Sequence, residues 1–197
     1  MEEGVVAADV CVTEQMNVSF KTYLRDQLWL RTVDGAIRRT GIYKESVTDT
    51  ERKEYRELLR QHLEKKILPQ YQKIVEEPQH LKNIRSLLAV SAITTRQGKL
   101  KVVLKGEALP FGVAQKILNL YLKYRWVMGD IKEPPHFPVD RTIQEAIGQK
   151  SIHNWTGHGD EELTEADYMD VIELARKRAK GGSLARYELY IYNGLKN

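Results

Sequence analysis

At 197 residues and 22.8 kDa, the chain has room for one large domain or two small ones, with a substantial core and no need of covalent staples. Hydrophobic residues make up 42% and charged residues 29%, which excludes a disordered or collagen-like chain. No stretch approaches the ~20 uncharged apolar residues that a bilayer requires, so no membrane partner is expected. Lysine plus arginine outnumber aspartate plus glutamate 31 to 27, a mildly basic balance compatible with a polyanionic partner. The single cysteine, Cys11, excludes a disulfide framework and every multi-cysteine metal site, and fits a reducing cytoplasm. The start of the chain lacks the basic and apolar regions of a signal peptide, which points the same way.

The apolar spacing is helical almost throughout. Over residues 14–30, Met16, Phe20, Tyr23, Leu24, Leu28 and Leu30 recur at mostly three- and four-residue intervals, predicting a helix with a buried stripe. Arg38-Arg39-Thr40-Gly41 reads as a basic connection, and Asp49 or Thr50 as the N-cap of the next helix. From Glu51 to Glu77 strong helix formers dominate, with Leu58, Leu59, Leu63, Ile67, Leu68, Tyr71 and Ile74 as the apolar face. Pro69 should kink or divide this segment. Pro78 opens a third helix, with Leu81, Ile84, Leu87, Leu88 and Val90 facing inward, which Gln97-Gly98 breaks. Residues 99–106 alternate like one short strand or extended arm.

A turn at Gly112-Val113-Ala114 then leads into an aromatic-rich helix running from near Gln115 to Trp126. Residues 130–138 form a loop with three prolines. Asp140 starts a helix to Ile147, and residues 148–162 are polar loop. Two last helices run from about Thr164 to Lys180 and from Leu184 to about Asn193, divided by Gly181-Gly182-Ser183. Seven or so helices with at most one extended piece predict an all-α fold.

Residues 109–143 carry the most chemistry. A small-residue turn at Gly112, Val113 and Ala114, running into Gln115, would leave backbone N–H groups free to hold a phosphate. Lys116 falls in the first helical turn, where the dipole favours a neutral, nucleophilic amine. Asp140 falls at the head of a later helix, where the same dipole favours a carboxylate. The blander readings are a solvated lysine, an aspartate that only caps its helix, and aromatics that only fill the core.

Gly112-Val113-x-x-Lys116-x-x-Asn119, followed by Pro138-Val139-Asp140, resembles the helix-hairpin-helix DNA glycosylase superfamily, and most closely its archaeal 8-oxoguanine glycosylase branch. That pattern is a Leu-Pro-Gly-Val-Gly-x-Lys-x-x-Asn hairpin with a later Val-Asp heading a helix. Here Ala114 stands at the second hairpin glycine, and the stretch from lysine to aspartate is longer than in common bacterial members. The resemblance covers about 35 residues, with a weaker echo in the aromatic-rich closing helix at 184–193.

The resemblance implies a single two-lobed helical domain over 1–197, with its hairpin and catalytic segment at about 108–148. It implies excision of a damaged or modified base from double-stranded DNA, with Lys116 as Schiff-base nucleophile and Asp140 as the carboxylate that stabilises the cationic sugar. Gly112, Val113, Ala114 and Gln115 would hold the DNA, and no cofactor or metal is implied. An extruded base needs aromatic surface, for which Trp126, Trp155 and Phe137, then Tyr121 and Tyr124, are the nearest candidates. Whether the base is oxidative damage or a deliberate modification, as in phage DNA, and whether lyase chemistry accompanies excision, the residues leave open. A DNA-acting protein would reside in the cytoplasm or at the nucleoid.

Three other readings compete. A non-catalytic helical module for nucleic acid or protein would leave Lys116 and Asp140 apart or in ordinary ion pairs. His136, His153 and His158 with Asp160 could bind a metal, though their spacing matches no known motif. Arg56 and His62 have a spacing reminiscent of helical RNases. Arg38-Arg39 and the 176–180 cluster could each grip phosphates.

Overall fold

The computed structural model describes residues 3–38, 40–96, 103–156 and 162–194. Among them the regular structure is seven α-helices without a strand: α1 (Glu3–Ile37), α2 (Asp49–His62), α3 (Glu77–Arg96), α4 (Phe111–Val127), α5 (Arg141–Ala146), α6 (Glu165–Arg178) and α7 (Leu184–Gly194). The all-α expectation holds. No helix among the described residues is long and apolar enough to cross a membrane. His158 and Asp160, Arg39, the Gln97-Gly98 break and residues 99–102 lie outside the described residues.

The central element is α4, which packs against α1, α3 and α6. Val113, Ala114, Ile117, Leu118, Tyr121 and Leu122 are all fully buried along it. Each valine, leucine or isoleucine so buried contributes about 1.5–3 kcal/mol relative to exposure. Partners come from Trp29, Val33, Ala36 and Ile37 of α1, Ile84 and Leu87 of α3, and Tyr168, Val171, Ile172 and Ala175 of α6.

The expected buried stripe at the start of α1 is corrected. Met16, Phe20, Tyr23, Leu24 and Leu30 are all about half exposed or more. Periodicity marks an apolar face but not what covers it, and the covered part of α1 begins only at Trp29. The second helix starts one or two residues earlier than predicted. Thr48 is its N-cap, because Glu51 falls three residues later and closes a capping box: the Thr48 amide donates to Glu51 Oε2 at 2.8 Å, and the Glu51 amide to Thr48 Oγ1 at 3.3 Å. Pro69 does divide the segment. The chain widens into a π turn at Leu63–Ile67 and tightens into a 3₁₀ turn at Leu68–Gln72. Of the expected face, Leu58 and Ile74 point outward, while Leu59, Leu63, Ile67, Leu68 and Tyr71 are buried. Of the expected extended piece, the described part is a single antiparallel bridge between Leu104 and Tyr43.

A polar network threads the core. Tyr71 Oη meets His80 Nδ1 at 2.7 Å, and the His136 ring bridges Tyr168 Oη at 2.9 Å and Glu77 at 2.8 Å. Burial holds both histidines below the ordinary imidazole range. For His80 the neighbouring His136 adds to the effect; for His136 the Glu77 carboxylate opposes it. Glu77 is itself half shielded, but hydrogen bonds from His136 and Arg176 outweigh that burial and hold its carboxyl below its ordinary range.

Both shifts make the fold acid-labile. A histidine neutral in the fold takes up a proton on unfolding once pH drops below ~6.5, so its stabilisation is complete above that pH and declines below it. Glu77 adds a loss in the same direction below its unfolded value, near 4.5. The unfolding free energy from urea melts should therefore be level between pH 8 and 7 and fall between pH 6.5 and 5, by about 1.4 kcal/mol per pH unit for each proton taken up, with the urea midpoint falling alongside it. A midpoint flat down to pH 5 would contradict the buried, neutral histidines.

Candidate active site

The site is built where α4 begins, and it begins earlier than the sequence suggests. Pro110 is the cap residue, and its carbonyl accepts from the amides of Val113 at 3.1 Å and Ala114 at 3.0 Å. Gly112 to Ala114 therefore belong to the first turn of α4 rather than to a turn before it, and Lys116 lies in the second turn. All of Gly112, Val113, Ala114 and Gln115 are buried. The amides at 113 and 114 are already satisfied by Pro110 O, and the main chain of Trp155 packs against Gly112.

That packing explains the glycine. A Cβ at Gly112 would lie 2.7 Å from Trp155 Cα and 2.8 Å from its carbonyl carbon, and closer still to the carbonyl oxygen. These are backbone atoms that no rotamer change can move. Gly112→Ala should push the Trp155 loop outward, lower stability by about 1–3 kcal/mol as overpacking does, and reduce whatever activity depends on Trp155. Thermal melts of wild type and G112A test this, and an unchanged melting temperature would refute it.

Two buried glutamines, Gln115 and Gln144, fix the site. Gln115 clamps residue 139 by its main chain. Its Nε2 donates to Val139 O at 2.6 Å and to Gly112 O at 2.9 Å, and its Oε1 accepts from the Val139 amide at 3.2 Å. Gln144 of α5 does the same to residue 153, donating to His153 O at 3.0 Å and accepting from its amide at 2.8 Å. The first clamp places Asp140 and the second places the loop with Trp155. Asn119 supports the first, donating to Gln115 Oε1 at 3.2 Å and to Tyr168 Oη at 3.0 Å, which ties the site to the core network.

Held in this way, Lys116 Nζ donates to Asp140 Oδ2 at 3.0 Å, and the ammonium lies 3.6 Å from the centre of the Trp155 ring. Asp140 has two tasks. Its extended backbone makes it the N-cap of α5, and its other oxygen, Oδ1, accepts from the Ile143 amide at 3.0 Å. The Lys116 side chain is 9% exposed and that of Asp140 27%, so the pair is recessed yet reachable. A cleft of about 610 Å³ opens on one side, lined among others by Arg141, His153 and Trp155. A second, of about 350 Å³, opens on the other, lined among others by Lys123, Tyr124, Glu188 and Tyr192.

The second cleft holds residues the sequence reading passed over. Lys123 Nζ donates to Glu188 Oε1 at 2.8 Å and lies 4.4 Å from the centre of the Tyr192 ring. Burial pushes the Glu188 carboxyl above its ordinary range against the pull of Lys123, and the Asp140 charge pushes it further. The signal for Lys123 was its position two turns after Lys116 on one helix face. Glu188 carried none beyond its place in the aromatic-rich closing helix.

The other candidates disperse. Phe137 is 1% exposed and belongs to the core, so it offers no stacking surface. Tyr121 is fully buried, donating to Glu64 at 2.7 Å. Trp126 lines a separate groove with Val127, Arg186 and Tyr190. Trp155 and Tyr124 each border one of the two clefts at Lys116. His62 meets Ser86 at 2.8 Å, whereas Arg56 lines a different cleft, so the RNase pairing is not assembled. Among the described residues no three His, Cys, Asp or Glu side chains converge as metal ligands. Comparison of the chain with protein-family models, with curated proteins and with solved structures found no match.

Proposed function

We propose that this protein is a DNA glycosylase with abasic-site lyase activity, acting through Lys116 and Asp140. The observation that carries the reading is the recessed lysine–carboxylate pair at 3.0 Å, roofed by an indole and open to a cleft on either side. An ion pair serving only to stabilise the fold needs no such access. A nucleophilic amine needs a neighbouring carboxylate to take its proton and a route for the substrate.

In this reading the base is extruded from the duplex into the smaller cleft, where Tyr124 and Tyr192 supply aromatic surface. The bond from C1′ to the base breaks, its electron pair leaves with the base, and Asp140 stabilises the positive charge that develops on the sugar. The neutral Lys116 amine, its proton passed to Asp140, forms a bond to C1′. The sugar ring then opens to a Schiff base. Loss of a C2′ proton allows the 3′ phosphate to leave by β-elimination, and water hydrolyses the imine to return the free amine.

Borohydride trapping tests this on duplexes carrying abasic sites and a panel of oxidised, deaminated and alkylated bases. A covalent protein–DNA adduct is the expected result. Excision without an adduct would reassign the chemistry to water activated by Asp140. Neither product on any duplex would favour a helical module that binds without catalysis.

A further inference from the structure

A second site lies on the other flank of α1. The bridge between Tyr43 and Leu104 is extended by hydrogen bonds from the Lys44 amide to Val103 O at 3.1 Å and from the Lys105 amide to Ile42 O at 2.8 Å. This brings Lys105 beside Tyr43. Arg52 and Arg56, four residues apart on α2, face the same place, and Arg38 reaches it from just past the end of α1. Together they line a cleft of about 440 Å³ that does not include Lys116 or Asp140.

Charge and hydrogen bonding in this cleft are unbalanced. Four cations face two carboxylates, Asp34 beside Arg38 at 3.2 Å and Asp49 beside Arg52 Nη1 at 3.5 Å. The Arg52 guanidinium lies 5.4 Å from the centre of the Tyr43 ring. Burial raises the Tyr43 phenol to about 12, against the pull of Arg56 and Arg52, so it is a donor at any physiological pH. Two donors here, Tyr43 Oη and Arg52 Nε, are shielded from solvent and have no hydrogen-bond partner among the described residues. Asp49 meets Arg52 at Nη1 and leaves the Nε edge open, and that edge is the one a planar guanidinium offers to a tetrahedral oxyanion. A solvated basic face would have neither a buried phenol among its cations nor a shielded, unpaired Nε.

We propose that this cleft is a phosphate-binding site, in which Arg52, Arg56, Lys105 and the Tyr43 hydroxyl grip one phosphoryl group. The phosphoryl group can belong to the DNA backbone or to a small phosphorylated solute, since the chemistry of the grip is the same. The inference is independent of the catalytic reading, because it requires neither excision nor a modified base.

The test uses the full chain with Arg56→Gln, Lys105→Gln and Tyr43→Phe, each checked for native helicity by circular dichroism. One arm measures anisotropy of a labelled, unmodified duplex between 50 and 200 mM salt, values on the order of those over which phosphate contacts dominate affinity. If the phosphoryl group is backbone, R56Q and K105Q each lower the slope of log affinity against log salt by roughly 0.9, and Y43F weakens binding severalfold. The other arm titrates inorganic phosphate and pyrophosphate calorimetrically. If the site takes a free solute, wild type binds, the three variants lose most of that affinity, and the duplex slope stays unchanged. If the three variants match wild type toward both probes, or wild type binds neither, the proposal is wrong. Y43F carries the decision, because removing an unpartnered hydroxyl from a merely basic surface would weaken nothing.

Discussion

Lys116→Ala should abolish the borohydride-trapped adduct and slow base excision by a factor on the order of 10²–10⁴, the usual range for losing a group that acts in the transition state. The fold should survive the change. Asp140 keeps the Ile143 amide and partial access to water when its partner is gone. Affinity for undamaged duplex should change little, because a recessed ammonium already paired with a carboxylate has little free charge to offer a phosphate. Lys116→Arg sharpens the test. It preserves the cation, the ion pair and the stacking on Trp155, yet a guanidinium is not a nucleophile at neutral pH. If both variants lose the adduct, the amine itself is required. If either still traps, the nucleophile is another amine, and Lys123 on the same helix face is the first to substitute.

The sequence made the helices legible because their signals are local. Capping residues, Pro69 and the glycines at 181 and 182 act within a turn, and all left their marks near the right place. What it could not display was cover. Met16, Phe20 and Leu24 have a faultless helical spacing and face outward, since nothing in a periodicity states which face meets another helix. The Lys116–Asp140 pairing was legible through a resemblance between motifs, but the geometry behind it was not. Gly112 suggested backbone approaching a phosphate. The same property, lack of a Cβ, serves the approach of the Trp155 main chain instead. Gln115 suggested a ligand for DNA because of where it stands in the motif, yet its amide matches a backbone amide atom for atom and is used against Val139. Gln144 left no mark at all, because a side chain that mimics backbone pairing has no preferred spacing from its target. Glu188 and Lys123 are far apart in sequence and meet only because α7, packed on α5 and α6, brings Glu188 to the side of α4 that carries Lys123.

Asp140 allows its two roles to be separated with two substitutions. Asparagine caps a helix about as well as aspartate does, so Asp140→Asn should keep the bond from the Ile143 amide and leave the start of α5 in place. What it removes is the negative charge beside the reacting sugar. Excision of an intact modified base, which builds positive charge on C1′, should then fall by a factor on the order of 10²–10⁴. Schiff-base formation at a preformed abasic site builds no such cation but still needs an acceptor for the Lys116 proton, a task water can share, so trapping on abasic DNA should fall less than excision does. Asp140→Ala removes the cap as well and should add a stability loss of about 1 kcal/mol, read as a lower melting temperature than that of D140N. If D140N loses excision and abasic-site trapping to the same extent, the carboxylate acts chiefly by setting the position or protonation of Lys116 rather than by stabilising the sugar cation. If D140N retains full excision, Asp140 is a helix cap and an ion-pair partner, and the glycosylase assignment loses its carboxylate.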